Sequence, residues 1–333
     1  MKTIRWEENA AIPRCVGAAL ASLRFCGGGP NWPVASEEEW KAALYYCDRN
    51  QLTLLLRACD GLPAHVRGRL DRNLDDNRER VRRMKRTFHD CAGVLEDAGV
   101  EFAVLKGFAN WGRFTADPER RLQYDLDLFC PEPEAARDAL MARLGYEPIA
   151  SAEEFPTDHL PGLIQRTGWQ WREDFFDPDI PISVEPHFRF WDDATEGFSA
   201  PGVEQFWTRR VSRQLDGRAY LTLDPVDAAG YSALHMLRHL LRGDARAANL
   251  YELGYFLHGS AGDRDFWSRW RELHGRELRR LEAICFRLAA EWFGCGLSPI
   301  ARAEVDGLPA PVARWFERSA AAPAEAFFRP NKD

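Results

Sequence analysis

Lysine is scarce in this sequence. Lys2, Lys41, Lys85, Lys106 and Lys332 stand against 39 arginines. With many alanines, this is the compositional drift of a GC-rich bacterial genome, and it makes an interior lysine worth examining. A basic excess is also missing: 51 acidic residues outnumber 44 basic ones, for a net charge of −7. That balance argues against a dedicated duplex-DNA binder. No apolar run approaches the roughly 20 residues of a membrane-spanning helix, so no membrane partner is expected. The first ten residues, MKTIRWEENA, contain no apolar run and carry early acids. They do not read as a signal peptide, and the cytoplasm is the expected compartment. None of the eight cysteines forms a C-x-x-C pair, which points to free, mostly buried thiols rather than a disulfide frame or a zinc site.

What is present is enough to fold. A 45% hydrophobic and 12% aromatic content excludes wholesale disorder. The pattern divides into three zones: helical over 1–98, mixed over 99–224 and helical again over 225–333. This is an α+β chain, with a small mixed sheet and flanking helices between two helical regions. Cys26 to Pro33 reads as a loop, and Ser36 with Glu39 as a capping box. Val81, Met84, Phe88, Cys91 and Leu95 mark one face of a helix over 76–98. Strands are expected at 100–105, 125–130, 162–176 and 181–190, with Asp177-Pro-Asp179 as a turn. Pro133 starts a helix that Gly145 caps, and Asp224-Pro225 starts another. A further helix is expected at about 276–293, and the Ala- and Pro-rich tail from Pro299 reads as loosely ordered.

The chemistry gathers in the middle zone. Asp125 and Asp127, two apart on a strand, project from the same face, while Leu126, Leu128 and Phe129 are available to the core. Two such carboxylates repel unless a cation lies between them, and their oxygens suit magnesium. The plain alternative is a solvated strand edge. Upstream, Lys106-Gly107 joins a strand to a helix-like segment. Glycine there permits close approach of a phosphate, and the lysine adds a point charge. Arg121 precedes Asp125 by four residues and can clamp phosphate, or simply be solvated; the adjacent Arg120 is the weaker candidate. A third acid completes a two-metal site. Glu185 is the best candidate, on the wet face of a strand whose Val184 is packed; Asp177 and Asp179 compete from their turn.

These residues carry a resemblance. Leu105-Lys106-Gly107, Arg121-x-x-x-Asp125-x-Asp127-Leu128, Gly145-Tyr146 and Val184-Glu185-x-His187 resemble the uncharacterised nucleotidyltransferase family of the DNA polymerase beta superfamily. Leu234-His235-x-x-x-His239 and the segment from Asn249 to Leu257 resemble that family's C-terminal helices, so the likeness spans about 85–295. A similar pattern occurs in abortive-infection nucleotidyltransferase toxins. The resemblance implies a minimal nucleotidyltransferase core and Mg²⁺-dependent attack on the α-phosphate of a nucleoside triphosphate. It implies that Asp125 and Asp127 bridge two Mg²⁺ ions and that Glu185 binds the ion at the acceptor. Gly107 would cradle the β,γ-phosphates, and Lys106 and Arg121 would neutralise their charge. Two departures stand out. Phe108-Ala109 follows Gly107 where many superfamily members have serine, and Pro186 after Glu185 suggests a strand end or edge.

Other residues are open to two readings. His187 either orients Glu185 or contacts a base, or it is a structural histidine. His235 and His239 lack an H-E-x-x-H pattern and read as a polar lining near the cleft or a packed helix face rather than a zinc site. Arg246 either reaches the nucleotide phosphates or is a solvated helix start. The arginines of 78–86 are interspersed with acids and read as a solvated face more than an RNA surface. Function is therefore expected to be nucleotidyl transfer from a nucleoside triphosphate to an unidentified acceptor. A small molecule or peptide is favoured and tRNA is possible. The missing hydroxyl after Gly107 motivates the alternative of a catalytically retired fold that binds nucleotide or acts as a scaffold.

Overall fold

The computed structural model describes residues 2–26, 32–149 and 158–328. The chain forms two compact units. One comprises Met1–Leu74, Arg113–Ala116 and Ser232–Asp333, and the other Asp75–Gly112 and Asp117–Tyr231. The second unit holds the seven strands of the described residues: β1 (Ala103–Val104), β2 (Asp125–Phe129), β3 (Tyr146–Pro148), β4 (Leu163–Gln165), β5 (Ser183–His187), β6 (Val211–Leu215) and β7 (Arg218–Thr222). They make one mixed sheet in the order β3-β4-β5-β2-β1-β7-β6. The α+β expectation of a mixed sheet with helical regions on either side in sequence is met.

Period-two alternation explains the placement of β2 and β5. They run parallel, with Leu126 opposite Val184 and Asp127 opposite Glu185. Leu126, Leu128 and Val184 are buried on one face against Met84, Phe88, Cys91 and Leu95 of the helix Ala64–Asp97, and Ala136 and Leu140 of the helix Pro133–Leu144. Burying each large aliphatic side chain contributes about 1.5–3 kcal/mol. The opposite face therefore receives Asp125, Asp127, Ser183, Glu185 and His187. Phe129 is buried as expected, but on that face, where it stacks on Phe190 at 4.3 Å, apart from Leu126 and Leu128. Gly99 and Gly145 close the two helices in the left-handed conformation.

Several expectations need correction. The 162–176 strand shrinks to the three residues of β4, because its polar continuation turns away through Gly168 and the Asp177 turn. β5 lies inside the sheet, so Pro186 marks a strand end and not an edge. It sits one residue before the terminus, where its carbonyl still accepts from Leu160. The hairpin β6–β7, turned at Asp216-Gly217 with both residues at positive φ, is an unforeseen addition. Of the Cys26 to Pro33 loop, residues 27–31 lie outside the described residues.

The other unit is helical among its described residues. Ser36 and Glu39 form the expected capping box, each side chain bonded to the other's backbone N–H. The helix Arg276–Phe293 matches its expected bounds, and Arg264–Leu273, capped by Asp263, adds one not foreseen. The tail is also not loose. It forms helices Pro299–Asp306, Ala310–Ser319 and Ala322–Ala326. Its described prolines lie at helix starts, where they are tolerated, and Phe316, Ala320 and Ala324 are buried. All eight cysteines are free, and only Cys26 is exposed. No helix among the described residues is long and apolar enough to cross a membrane.

Phe108 anchors the segment after β1. It is buried, with its ring 4.8 Å from Phe88 and 5.4 Å from Tyr220. Phe108→Ala should cost about 3–5 kcal/mol in urea unfolding. A loss under about 1 kcal/mol would contradict this anchoring.

Candidate active site

Parallel pairing sets Asp127 directly across from Glu185, with Asp125 one step earlier on the same face across from Ser183. Asp127 is almost completely buried and Glu185 about a quarter exposed. β1 runs antiparallel to β2 on its other side and ends beside Asp127, where the Leu105 N–H donates to the Asp127 carbonyl at 3.1 Å. This delivers Lys106, whose Nζ lies 2.8 Å from Asp127 Oδ1. His187 Nε2 approaches the same oxygen at 3.0 Å. One carboxylate oxygen thus holds a lysine and a histidine inside the protein.

The electrostatics follow from that arrangement. Burial alone would raise the Asp127 carboxyl, but the Lys106 charge and the His187 hydrogen bond outweigh it and hold it well below the usual carboxylate range. Burial would likewise lower Lys106, yet Asp127 keeps it firmly protonated. Burial would lower His187, but its hydrogen bond to Asp127 and the neighbouring Asp158 carboxylate push it up to about 9. Glu185 is held less closely, with His187 Nε2 at 3.9 Å from its Oε2. Burial, then the charges of Asp125 and Asp127, raise it to about 7. The face therefore carries more negative charge than its own cations relieve. Asp127, Glu185 and His187 each offer one ligand atom, all within 4.8 Å of one another. This donor set fits a divalent cation, which would relieve the repulsion.

The turn after Lys106 is fixed from two sides. Gly107 has φ +65°, and a β-carbon there would meet the Gln123 amide nitrogen at 2.0 Å. That amide donates to the Asp125 carbonyl at 2.7 Å. Arg213, from β6, donates to the carbonyls of Ala109 and Trp111. Neither Gln123 nor Arg213 was singled out in the sequence. Gln123 offered only its position two residues before Asp125, and Arg213 carried no signal among so many arginines.

The remaining candidates divide. Arg121 lies half-buried in the segment leading into β2, with its carbonyl held by Asn77 at 3.1 Å. Asp177 and Asp179 form a turn: Asp177 accepts from Trp169 Nε1 at 2.8 Å and from the Asp179 N–H at 2.9 Å. They do not join the carboxylate face. His235, His239 and Arg246 belong to the helical unit. There the two histidine rings meet edge to face at 4.4 Å, His239 contacts Asp244 at 2.9 Å, and Arg246 precedes the helix Ala247–Ser260. The arginine-rich face is ion-paired: Arg78 with Asp75 and Glu119, Arg82 and Arg86 with Glu79, Lys85 with Asp216. The sequence also gave no hint of Asp158, buried 3.5 Å from His187 Nδ1.

Two outcomes follow. Gly107→Ala should lose about 2 kcal/mol or more, from the positive φ and the Gln123 clash together. Unchanged unfolding would refute the tight turn. For Glu185, the folded state holds its proton up to about pH 7 against an ordinary 4.5. Between these values the folded state binds more protons than the unfolded state, so stability falls as pH rises. Glu185→Gln in chelator-treated protein should therefore be more stable than wild type at pH 8, by up to about 3 kcal/mol, and not at pH 4. Urea midpoints at the two pH values check this.

Comparison with known protein families matches residues 36–294 to an uncharacterised nucleotidyltransferase family, starting well upstream of residue 85. No curated protein and no solved structure gives a significant match. With the match covering most of the chain and including the strands that carry Asp125, Asp127 and Glu185, the chain belongs to this uncharacterised nucleotidyltransferase family.

Proposed function

We propose that the protein transfers a nucleoside monophosphate from a nucleoside triphosphate to an acceptor hydroxyl, with Asp125, Asp127 and Glu185 holding Mg²⁺, two ions in the full site. The observation that carries this reading is the pairing of Asp127 with Glu185 on adjacent parallel strands, beside Lys106 and at the mouth of the Gly107 turn. A divalent cation bound there supplies charge neutralisation for the triphosphate and lowers the proton affinity of the attacking hydroxyl. Asp125 and Asp127 share the face and supply oxygens from one strand. Glu185, about a quarter exposed where Asp127 is buried, faces the acceptor side. Lys106 carries a positive charge into the site, and the Gly107 N–H, on a turn with no room for a side chain, is suited to the phosphates. Arg121 adds charge on the approach to β2.

The acceptor is a small molecule or a peptide in this reading, with tRNA as the further option. The competing reading, a retired fold that binds nucleotide or serves as a scaffold, draws on Phe108, which is buried where a serine would touch phosphate. Retention of the paired carboxylates beside Lys106 favours activity.

Labelled nucleoside triphosphates incubated with Mg²⁺ and candidate acceptors should yield transfer and pyrophosphate. Asp125→Asn with Asp127→Asn, or a chelator, should lower the rate by at least about a hundredfold. Full activity in the double variant would reject the mechanism. Nucleotide binding by calorimetry without pyrophosphate release under any condition would favour the retired fold.

A further inference from the structure

The carboxylate face contains a buried nitrogen donor that the three-acid reading leaves without a task. His187 follows Glu185 by two residues on β5 and so shares its face. Its side chain is about 3% exposed. Nε2 lies 3.0 Å from Asp127 Oδ1 and 3.9 Å from Glu185 Oε2, pointing into the space between the two carboxylates. Nδ1 points the other way, toward Asp158 Oδ2 at 3.5 Å.

Asp158 is itself held in place. Its carbonyl accepts from the Phe188 N–H at 2.9 Å, His159 bridges to His187 in antiparallel fashion, and the Leu160 N–H donates to the Pro186 carbonyl at 2.9 Å. The His159 ring lies 4.9 Å from the His187 ring. A short segment is thus laced along the end of β5, with an acid behind the histidine. A carboxylate in that position favours the tautomer with its proton on Nδ1, which leaves the Nε2 lone pair facing forward.

We propose that His187 Nε2 is a direct ligand of the divalent cation held by Asp127 and Glu185, with Asp158 as its positioning residue, so that this position prefers a first-row transition cation such as Mn²⁺ over Mg²⁺. The inference rests on the reading of Asp127 and Glu185 as metal carboxylates. The cation takes the place of the proton that Nε2 shares with Asp127. Mg²⁺ favours all-oxygen octahedra and keeps its waters, whereas an imidazole nitrogen adds affinity along the transition series. The rival arrangement has His187 donating to Asp127 and never touching the ion.

The full chain, stripped with chelator and loaded with Mn²⁺ without nucleotide, separates the two by pulsed electron paramagnetic resonance. The wild type should show a directly coordinated ¹⁴N. His187→Gln should lose that signal and bind Mn²⁺ at least about tenfold more weakly. Asp158→Asn should keep the signal and weaken Mn²⁺ binding by about tenfold. In His187→Asp, an all-oxygen set, the Mn²⁺-over-Mg²⁺ preference should fall at least about tenfold. Circular dichroism confirms that each variant is folded, and the wild-type spectrum decides the question even if none is. Mn²⁺ bound to wild type with no coupled nitrogen overturns the ligand assignment and leaves the carboxylate reading standing. Wild type that binds no Mn²⁺ overturns both.

Discussion

The contact on which the site depends is the one between Asp127 Oδ1 and its two cationic neighbours, Lys106 and His187. A carboxylate this buried is costly unless it is paired. The two partners arrive from strands on either side of β2, so the pairing that makes the sheet also makes the charge tolerable. Removing both partners would leave an uncompensated charge inside the protein. The same clamp keeps Asp127 ionised while the unclamped Glu185 resists ionisation.

The sheet's two faces divide the work. Leu126, Leu128 and Val184 fasten one side to helices, and the alternation that buries them obliges Asp125, Asp127, Glu185 and His187 to share the other. Stability and chemistry are thus written into alternate residues of the same ten positions. The Gly107 turn is joined to this arrangement through Gln123, which packs beneath the glycine and holds the Asp125 carbonyl. Nothing on the turn can shift without disturbing the strand that bears the carboxylates.

Much of this was legible in the sequence because it is periodic. Asp125-x-Asp127 and Val184-Glu185 announce their faces by alternation, and Ser36-x-x-Glu39 announces a helix start by chemistry. What was not legible has no period. Asp158 reaches His187 across 29 residues, and Gln123 and Arg213 act through one and two hydrogen bonds to backbone carbonyls in an arginine-rich, otherwise unpatterned context. The hairpin β6–β7 did carry its signal, Asp216-Gly217, but its strands alternate weakly. The tail misled by composition: prolines at helix starts look like breakers until the buried Phe316 and Ala324 are seen.

The pairing of β2 with β5 has a consequence for how the protein comes into being. The two strands are neighbours in the sheet but are separated in the chain by β3, β4 and a helix. A chain emerging in order from N- to C-terminus displays Lys106 and both β2 aspartates long before Glu185 and His187 exist to face them. The Arg213 hold on the Gly107 turn comes later still. Such a long-range closure is among the slower events of folding. An incomplete chain therefore carries the acids without the site, and cation-binding geometry appears only when the sheet is assembled.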